Sequence, residues 1–434
     1  MNYLKKLSIN MERLEKNLFE LAKIGRNERG GIDRAFGSSE DRSARAWIRD
    51  YWTHMGIDVH MDEMANLWGE VEGAEKLAKI AMGSHHDAVP NGGMYDGPLG
   101  VLMATEVAQT LLDNHITLRH PLSLVSFTGE EPNEFNISTI GSKAVSGKLT
   151  VEKLRNTVSV KDGRPFAQAM SGLGGNIEKL ENVRIEKGKY AAFLECHIEQ
   201  GKRLEKRELP CAAVSCITGI YREIIRVTGE ANHAGTTLMQ DRKDALTASA
   251  EYILGIEKIL RSMNDEEVTG TIGCISMLPN STNIIPETVE MMLDLRISNF
   301  KKKKTFLQCV NDLQMRIEES RGVKITRTIN LDQPHTVMDQ QVVKAIQDAI
   351  VLVNQPEITL VSMAGHDAAN MASVTRSGMI FVQSVNGKSH CAEEFTKSSD
   401  IEVTANAMLK AILLLDERLD HETKPKTAKG DGYA

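Results

Sequence analysis

Several things are scarce in this chain, and each scarcity removes a class of protein. No apolar run approaches the ~18 residues that a bilayer-crossing helix needs, so no membrane partner is expected. Positive charge is not in excess: the net charge is −7, and the only dense basic run is Lys301 to Lys304. Nucleic-acid binders carry a basic face, so no nucleic-acid partner is expected, and the lysine run reads as a solvated helix start. There is no G-x-x-x-x-G-K-[ST] loop and no dinucleotide fingerprint, which argues against a nucleotide enzyme. Cysteine is confined to Cys196, Cys211, Cys216, Cys274, Cys309 and Cys391, with no CxxC pair. That excludes a tight disulfide framework and points to reduced thiols in the cytoplasm. Aromatics make up only 5%, so the core must rest on Leu, Ile, Val, Ala and the 20 Met. No export signal is expected either: Leu14, Leu18 and Leu21 share one face of a helix otherwise rich in Glu, Lys and Asn.

What is present is an ordinary soluble composition, 41% hydrophobic and 26% charged over 434 residues. That length calls for two or three domains. Short apolar runs alternate with amphipathic helices, an α/β pattern. Strands are expected near Ala78–Met82, Leu122–Phe127 and Ala191–Cys196, with a helix over about Leu99–Leu112. Each strand runs into polar, metal-capable residues, and in a largely parallel sheet ligands bind at the carboxyl ends of strands. From about Ala212 the pattern changes to strand Ser215–Val227, helix Arg242–Met263, strands Thr269–Met277 and Val289–Ile297, helix Lys303–Ser320 and strand Val323–Thr328. This βαββαβ order is ferredoxin-like. The α/β pattern then resumes with helix Val342–Val353, a strand near Met379–Val382 and helix Ile401–Leu415. A discontinuous α/β catalytic domain, 1–211 and 331–434, is therefore expected around an inserted α+β domain, 212–330. The polar tail from about Glu422 is expected to fray.

The chemistry-bearing residues fall at these strand ends. In GSHHDAVPNGGMYDG, His85 and Asp87 lie two apart on extended backbone and face the same side, so one can ligate a metal and the other can orient it. Asp96 follows a Gly92-Gly93 turn, and its two oxygens can bridge two cations. Glu130 and Glu131 point to opposite sides of a strand end, so one can bind a metal while the other stands beside it as a general base. His197 and Gln200 lie in LECHIEQG, and His390 in NGKSHCAEEFT. Together His85, Asp96, Glu131, His197 and His390 offer three imidazoles and two carboxylates. Zinc and similar divalent metals prefer such mixed ligands, and the lack of cysteine in the set suits an open catalytic site. With Asp96 bridging, each of two metals would have three protein ligands. The inserted region adds His233 in ANHAGTT, Asn283 in NSTNIIP, and Arg296 in DLR, which could fork onto a carboxylate or form a salt bridge along its strand. His366 and Asp367 in MAGHDAANM sit at an expected helix start, where Asp367 could be the N-cap.

The motifs GSHHDAVPNGGMYDGPLGV, EEPNEF…GSKA, LECHIEQG, HAGTT…RKDAL, STNIIP…DLR, AGHDA and SHCAEE occur in the order seen in the hydantoinase/carbamoylase amidohydrolases. The chain resembles that family from about Ile24 to Leu415. The resemblance implies a metallopeptidase-like catalytic domain with an inserted lid and dimerisation domain, acting as a homodimer on a small ureido or amide acid. It implies two divalent metals per subunit, zinc or else manganese, cobalt or nickel. One would be held by His85, Asp96 and His197, the other by Asp96, Glu131 and His390. Glu130 would be the general base, Asp87 its supporting residue and His233 an oxyanion stabiliser. Asn283 and Arg296 would hold a substrate carboxylate, Gln200 would contact the amide end, and His366 would join the substrate-binding set. A cis Asp96–Gly97 bond is also implied. The implied reaction is hydrolysis of a linear ureido or amide C–N bond, with an N-acyl-amino-acid hydrolase or dipeptidase as the nearest alternative. The sequence departs from the family at His86, Ala88, Leu238 and Ala392, and at PNEF, where a basic residue is lost and Glu134 gained.

Overall fold

The computed structural model describes residues 7–419, so the polar tail from Glu422 lies outside the described residues. The chain divides into two compact units, Met1–Ser215 with Met338–Leu360 and His366–Ala434, and Cys216–Val337 with Val361–Gly365. The boundaries expected at 212 and 330 fall inside strands, Cys211–Ile217 and Lys324–Gln333. The single strand expected over Ser215–Val227 is two, Cys211–Ile217 and Gly219–Thr228. The first pairs antiparallel with Arg376–Val382 through Cys211–Val214, and the second enters a different sheet. Apolar patterning cannot separate two strands with only Thr218 between them.

The first unit is built on a mixed sheet. Its centre is four parallel strands in the order Arg376–Val382, Tyr190–Ile198, Lys79–His85 and Leu122–Phe127. Leu67–Val71 and Asp58–Met61 continue it antiparallel. Tyr190–Ile198 and Leu122–Phe127 are buried along their whole length. Parallel strands covered on both faces read as continuous apolar runs, which is why these were plain in the sequence. Helix Pro98–Asp113 packs on this sheet and is buried on most sides. Helix Met11–Ala22 buries Leu14, Leu18 and Leu21, as its periodicity predicts, and Asn10 caps it by accepting from Arg13 N. Trp52 is fully buried and donates from Nε1 to Thr105 Oγ1 at 2.8 Å. All six cysteines are free.

The second unit runs strand Gly219–Thr228, helix Ala245–Met263, strands Val268–Leu278 and Thr288–Ile297, helix Phe300–Arg321 and strand Lys324–Gln333. Its sheet is antiparallel, with Val268–Leu278 at one edge, then Thr288–Ile297, Gly219–Thr228 and Lys324–Gln333. This is the ferredoxin-like order. The helix expected from Arg242 begins instead at Ala245, because the Asp244 carboxylate caps it by accepting from Leu246 and Thr247 N. Of the lysine run, Lys302 pairs with Asp265 and Glu267, and Lys303 with Asp332.

The turn after Asp96 leaves no room for a side chain. Gly97 takes φ +85 and starts helix Pro98–Asp113, with Pro98 in the first turn, where its missing N–H costs nothing. A Cβ on Gly97 would lie 2.3 Å from the His85 ring. Gly97→Ala should therefore lower stability by about 1–3 kcal/mol from the left-handed backbone alone and displace His85 as well. A denaturant titration with unchanged slope and unchanged midpoint would contradict this.

Candidate metal centre

The four parallel strands deliver their polar residues to one edge. His85 closes Lys79–His85, His197 sits near the end of Tyr190–Ile198, and Glu130 and Glu131 follow Leu122–Phe127. His390 follows Arg376–Val382 after a short Val385–Gly387 turn. Strand direction thus gathers residues from distant parts of the chain.

Two groups share Asp96: His85, Asp96 and His197, and Asp96, Glu131 and His390, with the ligand atoms of each group within 4.8 Å of one another. His197 Nε2 lies 3.1 Å and His85 Nε2 3.7 Å from Asp96 Oδ1. His390 Nε2 lies 3.4 Å from Asp96 Oδ2 and 3.4 Å from Glu131 Oε1. The first group is sealed from solvent, whereas the His390 side chain is 46% exposed. The rings are oriented from behind. His197 Nδ1 faces Ile198 O at 3.0 Å and His85 Nδ1 faces Asp87 O at 3.2 Å. A carbonyl only accepts, so each Nδ1 carries the hydrogen and each Nε2 faces the centre, the arrangement metal-binding histidines use. His85 Nε2 and Glu131 Oε1 are buried with no hydrogen-bond partner. Burying unpaired polar atoms is costly, and a bound cation would satisfy both. The donor set therefore fits divalent metal.

Asp87 is fully buried and does not join either group. Its two carboxylate oxygens accept the backbone N–H groups of Glu130 and Glu131, each at 3.1 Å, and so fix the glutamate turn. Glu130 Oε2 stands 3.8 Å from His85 Nε2, beside the first group without belonging to it. Burial pushes the Glu130 carboxyl well above the usual range; His85 opposes this, and Glu131, Asp367 and Asp87 add to it. Burial and the Asp96 charge push Glu131 up to about 7. Burial would lower His85, but the Asp87 hydrogen bond and the charges of Glu130, Asp87 and Glu131 outweigh it and raise the ring well above its usual value. The neighbouring Asp96 carboxylate, 3.4 Å away, raises His390 to about 9 against burial, with help from Glu131. Burial would raise Asp96, but the three imidazoles His197, His390 and His85 hold it well below the carboxylate range.

Other expected residues are placed differently from one another. Gln200, at φ +57, donates from Nε2 to Asp96 Oδ2 at 2.7 Å and to Ser389 Oγ at 3.1 Å. His366 is buried, its ring edge-on to His197 with centroids 4.4 Å apart, and burial with the His197 charge lowers its pKa well below the usual value. It is His366, not Asp367, that precedes helix Asp367–Met371; Asp367 instead accepts from Ser142 Oγ. In the second unit, His233 bridges to Ile284 beside Asn283, whose carbonyl accepts from Ala234 N. Arg296 donates to Asp294 at 2.6 Å, so the salt bridge along its strand is formed. The Asp96–Gly97 bond is not cis: Leu278–Pro279 is the cis bond among the described residues, and the positive φ of Gly97 makes the turn. His86 is a buried structural residue between Ser126 Oγ at 2.7 Å and Asp41 Oδ1 at 2.9 Å. Glu134 pairs with Arg164, which lies over the Phe135 ring, so a guanidinium returns to the loop that lacks the expected basic residue.

Sequence reasoning passed over Ser389, Glu394 and Glu195. Glu394 Oε1 accepts from Tyr95 and Asp96 N at 2.9 and 3.0 Å. Glu195 accepts from Ser84 Oγ and Ala368 N, each at 2.8 Å. Glu195 shares its strand face with His197 two residues on, which is a legible signal; Ser389 and Glu394 flank His390 and carry none beyond proximity.

Two carboxylate-sharing imidazole groups with a free glutamate alongside, at the carboxyl edge of a parallel sheet, define a candidate two-metal hydrolase. The profile of peptidase family M20/M25/M40 matches residues 81–414. The N-carbamoyl-L-amino acid amidohydrolase of Geobacillus stearothermophilus is 35% identical over 406 residues, 93% of this chain and 98% of that protein. The ureidoglycolate hydrolase of Oryza sativa subsp. japonica is 32% identical over 93% of this chain and 85% of its own length. A crystal structure of an amidase of the hydantoinase/carbamoylase family from Burkholderia multivorans superposes with a TM-score of 0.86 at 30% identity, covering 94% of this chain and 98% of that one. The chain belongs to peptidase family M20/M25/M40 and, within it, to the hydantoinase/carbamoylase amidohydrolases.

Metal affinity of the Asp96, Glu131 and His390 group should rise with pH. A ligand must shed its proton to bind; Glu131 does so near 7 and His390 near 9 in the metal-free protein. Affinity falls as pH drops through these values. Metal titrations giving a flat affinity from about pH 6 to 9 would contradict the assignment.

Proposed function

We propose that this enzyme hydrolyses a linear ureido C–N bond in a small carboxylate-bearing substrate of the N-carbamoyl-L-amino acid, allantoate or ureidoglycolate type. The observation that carries the reading is the position of Glu130, buried 3.8 Å from His85 and beside two ligand groups that share Asp96. His85, Asp96 and His197 would hold one divalent metal, and Asp96, Glu131 and His390 the other, with zinc, manganese, cobalt and nickel all suited to these donors. Bound there, the metals supply Lewis acidity at the substrate carbonyl.

Glu130 takes a proton from the attacking water as its oxygen adds to the carbonyl carbon. A carboxyl held above the usual range by burial keeps that proton long enough to return it. When the C–N bond breaks, Glu130 delivers the proton to the leaving nitrogen. From a ureido group and one water, the balanced products are ammonia, carbon dioxide and the free amine. Asp87 keeps Glu130 and Glu131 apart and aimed through their backbone N–H groups. Gln200 has both amide hydrogens committed to Asp96 and Ser389, leaving Oε1 as a buried acceptor with no partner. An acceptor at that point favours a substrate end bearing N–H, which a ureido group has and an acetyl group lacks. His233 as oxyanion stabiliser, and Asn283, Arg296 and His366 as substrate-binding residues, complete the proposal. For Arg296 it requires sharing the guanidinium with Asp294.

The inserted unit is proposed as lid and dimerisation domain. Its edge strand Val268–Leu278 exposes Ile275 and Leu278, and an unpaired apolar edge favours pairing with a second copy. No helix among the described residues is long and apolar enough to cross a membrane; a cytoplasmic location remains part of the proposal.

The test is ammonia release by metal-loaded protein on allantoate, ureidoglycolate, N-carbamoyl-α-amino acids, N-carbamoyl-β-alanine, an N-acetyl amino acid and a dipeptide. Ammonia should appear with one ureido acid. Glu130→Gln should lower kcat by about 10²–10⁴ without loss of bound metal. Free amine from the acetyl compound or dipeptide, with no ammonia from any ureido acid, would move the enzyme to acylase or peptidase chemistry.

A further inference from the structure

Asp96 Oδ2 faces the second ligand group, yet both its lone pairs are already used. Ser389 Oγ donates to it at 2.5 Å and Gln200 Nε2 at 2.7 Å, while His390 Nε2 waits 3.4 Å away. For Oδ2 to ligate a cation held by Glu131 and His390, one donor must let go. Among the described residues, Gln200 Nε2 donates to no carboxylate besides Asp96, and its other hydrogen rests on Ser389 Oγ. Ser389 has one. Glu394 Oε2 lies 3.2 Å from the same hydroxyl. A serine hydroxyl has a single proton, so it bonds Asp96 or Glu394 but never both.

Glu394 is built to stay in place while this happens. It is 5% exposed, and its other oxygen, Oε1, is anchored by the N–H groups of Tyr95 and Asp96. Gly93 leaves it room: a Cβ there would come within 2.1 Å of Glu394 Oε1. Glu394 therefore grips the backbone of the Asp96 turn with one oxygen and offers the other to the residue before His390.

We propose that Ser389 and Glu394 form a hydroxyl switch that opens the second metal position. The single Ser389 proton serves either Asp96 Oδ2 or Glu394 Oε2; with the proton on Glu394 Oε2, one lone pair of Oδ2 would be free for a cation while Gln200 keeps the other. Both are positioning residues. The proposal rests on the two-metal reading of the site and concerns only the group of Asp96, Glu131 and His390.

The test is stepwise titration of metal-free full-length protein with Zn²⁺ against a chromophoric chelator, reading stoichiometry and both affinities without substrate. In Glu394→Gln, the side-chain oxygen must still serve Tyr95 and Asp96, so an NH₂ group faces Ser389 and its hydroxyl has nowhere to turn. The second affinity should fall about tenfold or more, with the first unchanged. Adding Ser389→Ala removes the blocking proton and should restore the second affinity toward wild type. A merely structural role for Glu394 would not be rescued by a second lesion. An unchanged second affinity in Glu394→Gln, or a double variant no tighter than the single one, overturns the switch. Should Glu394→Gln fail to fold, Ser389→Ala decides: second-site binding at least as tight as wild type supports the switch, and weaker binding overturns it. A wild-type protein that binds fewer than two Zn²⁺ removes the two-metal reading itself, an outcome distinct from failure of the switch.

Discussion

A single buried carboxylate, Asp96, organises this protein. Its two oxygens serve two different ligand groups, and its backbone N–H is held by Glu394. Gly97, immediately after it, must lack a side chain because the His85 ring occupies that space. His85, His197 and His390 converge on it from three strands of the sheet and the loops that leave them. Carboxylate oxygens have more than one lone pair, so one such group can face two cations and still accept hydrogen bonds. Most of the site's geometry follows from holding that one group still.

The cost is a concentration of buried charge. Glu130, Glu131, Glu195, Asp367 and Glu394 all have carboxyls raised by burial, within reach of one another's fields. Like charges taken out of water favour protonation, and the imidazoles offset this only in part. Asp96 is driven the other way, because three imidazoles surround it. Such an arrangement is weak as a structural device and suited to divalent cations, whose charge reverses the local balance. The two groups are unequal: one is sealed, and the other opens to solvent through His390.

The parallel sheet and the inserted α+β unit have different legibility. Strands buried on both faces appear as unbroken apolar runs, so Lys79–His85, Leu122–Phe127 and Tyr190–Ile198 stood out within a few residues. The inserted unit was legible from its alternation of long strands and helices. The junction was not: strands Cys211–Ile217 and Gly219–Thr228 abut, and no charged break separates them. Periodicity extends to Arg242 a helix whose start is set by the Asp244 cap. Caps are decided by one hydrogen-bonding side chain, which periodicity does not weigh.

The site divides along similar lines. Residue type and strand-end position by themselves marked the five metal-type candidates and the pair Glu130 and Glu131, since only a few chemistries need imidazoles and carboxylates at the ends of parallel strands. Resemblance of the motifs determined how the ligands divide between two groups. Tertiary structure alone decided which neighbours take up Asp96's remaining hydrogen-bonding capacity. Gln200, Ser389 and Glu394 reach it from 104, 293 and 298 residues away. It also decided that His86 serves Asp41 and Ser126, and that Arg296 lies against Asp294. A hydrogen bond is made by an atom at a distance and an angle. Sequence order constrains which strand end a residue occupies, but not which of two oxygens its proton finds.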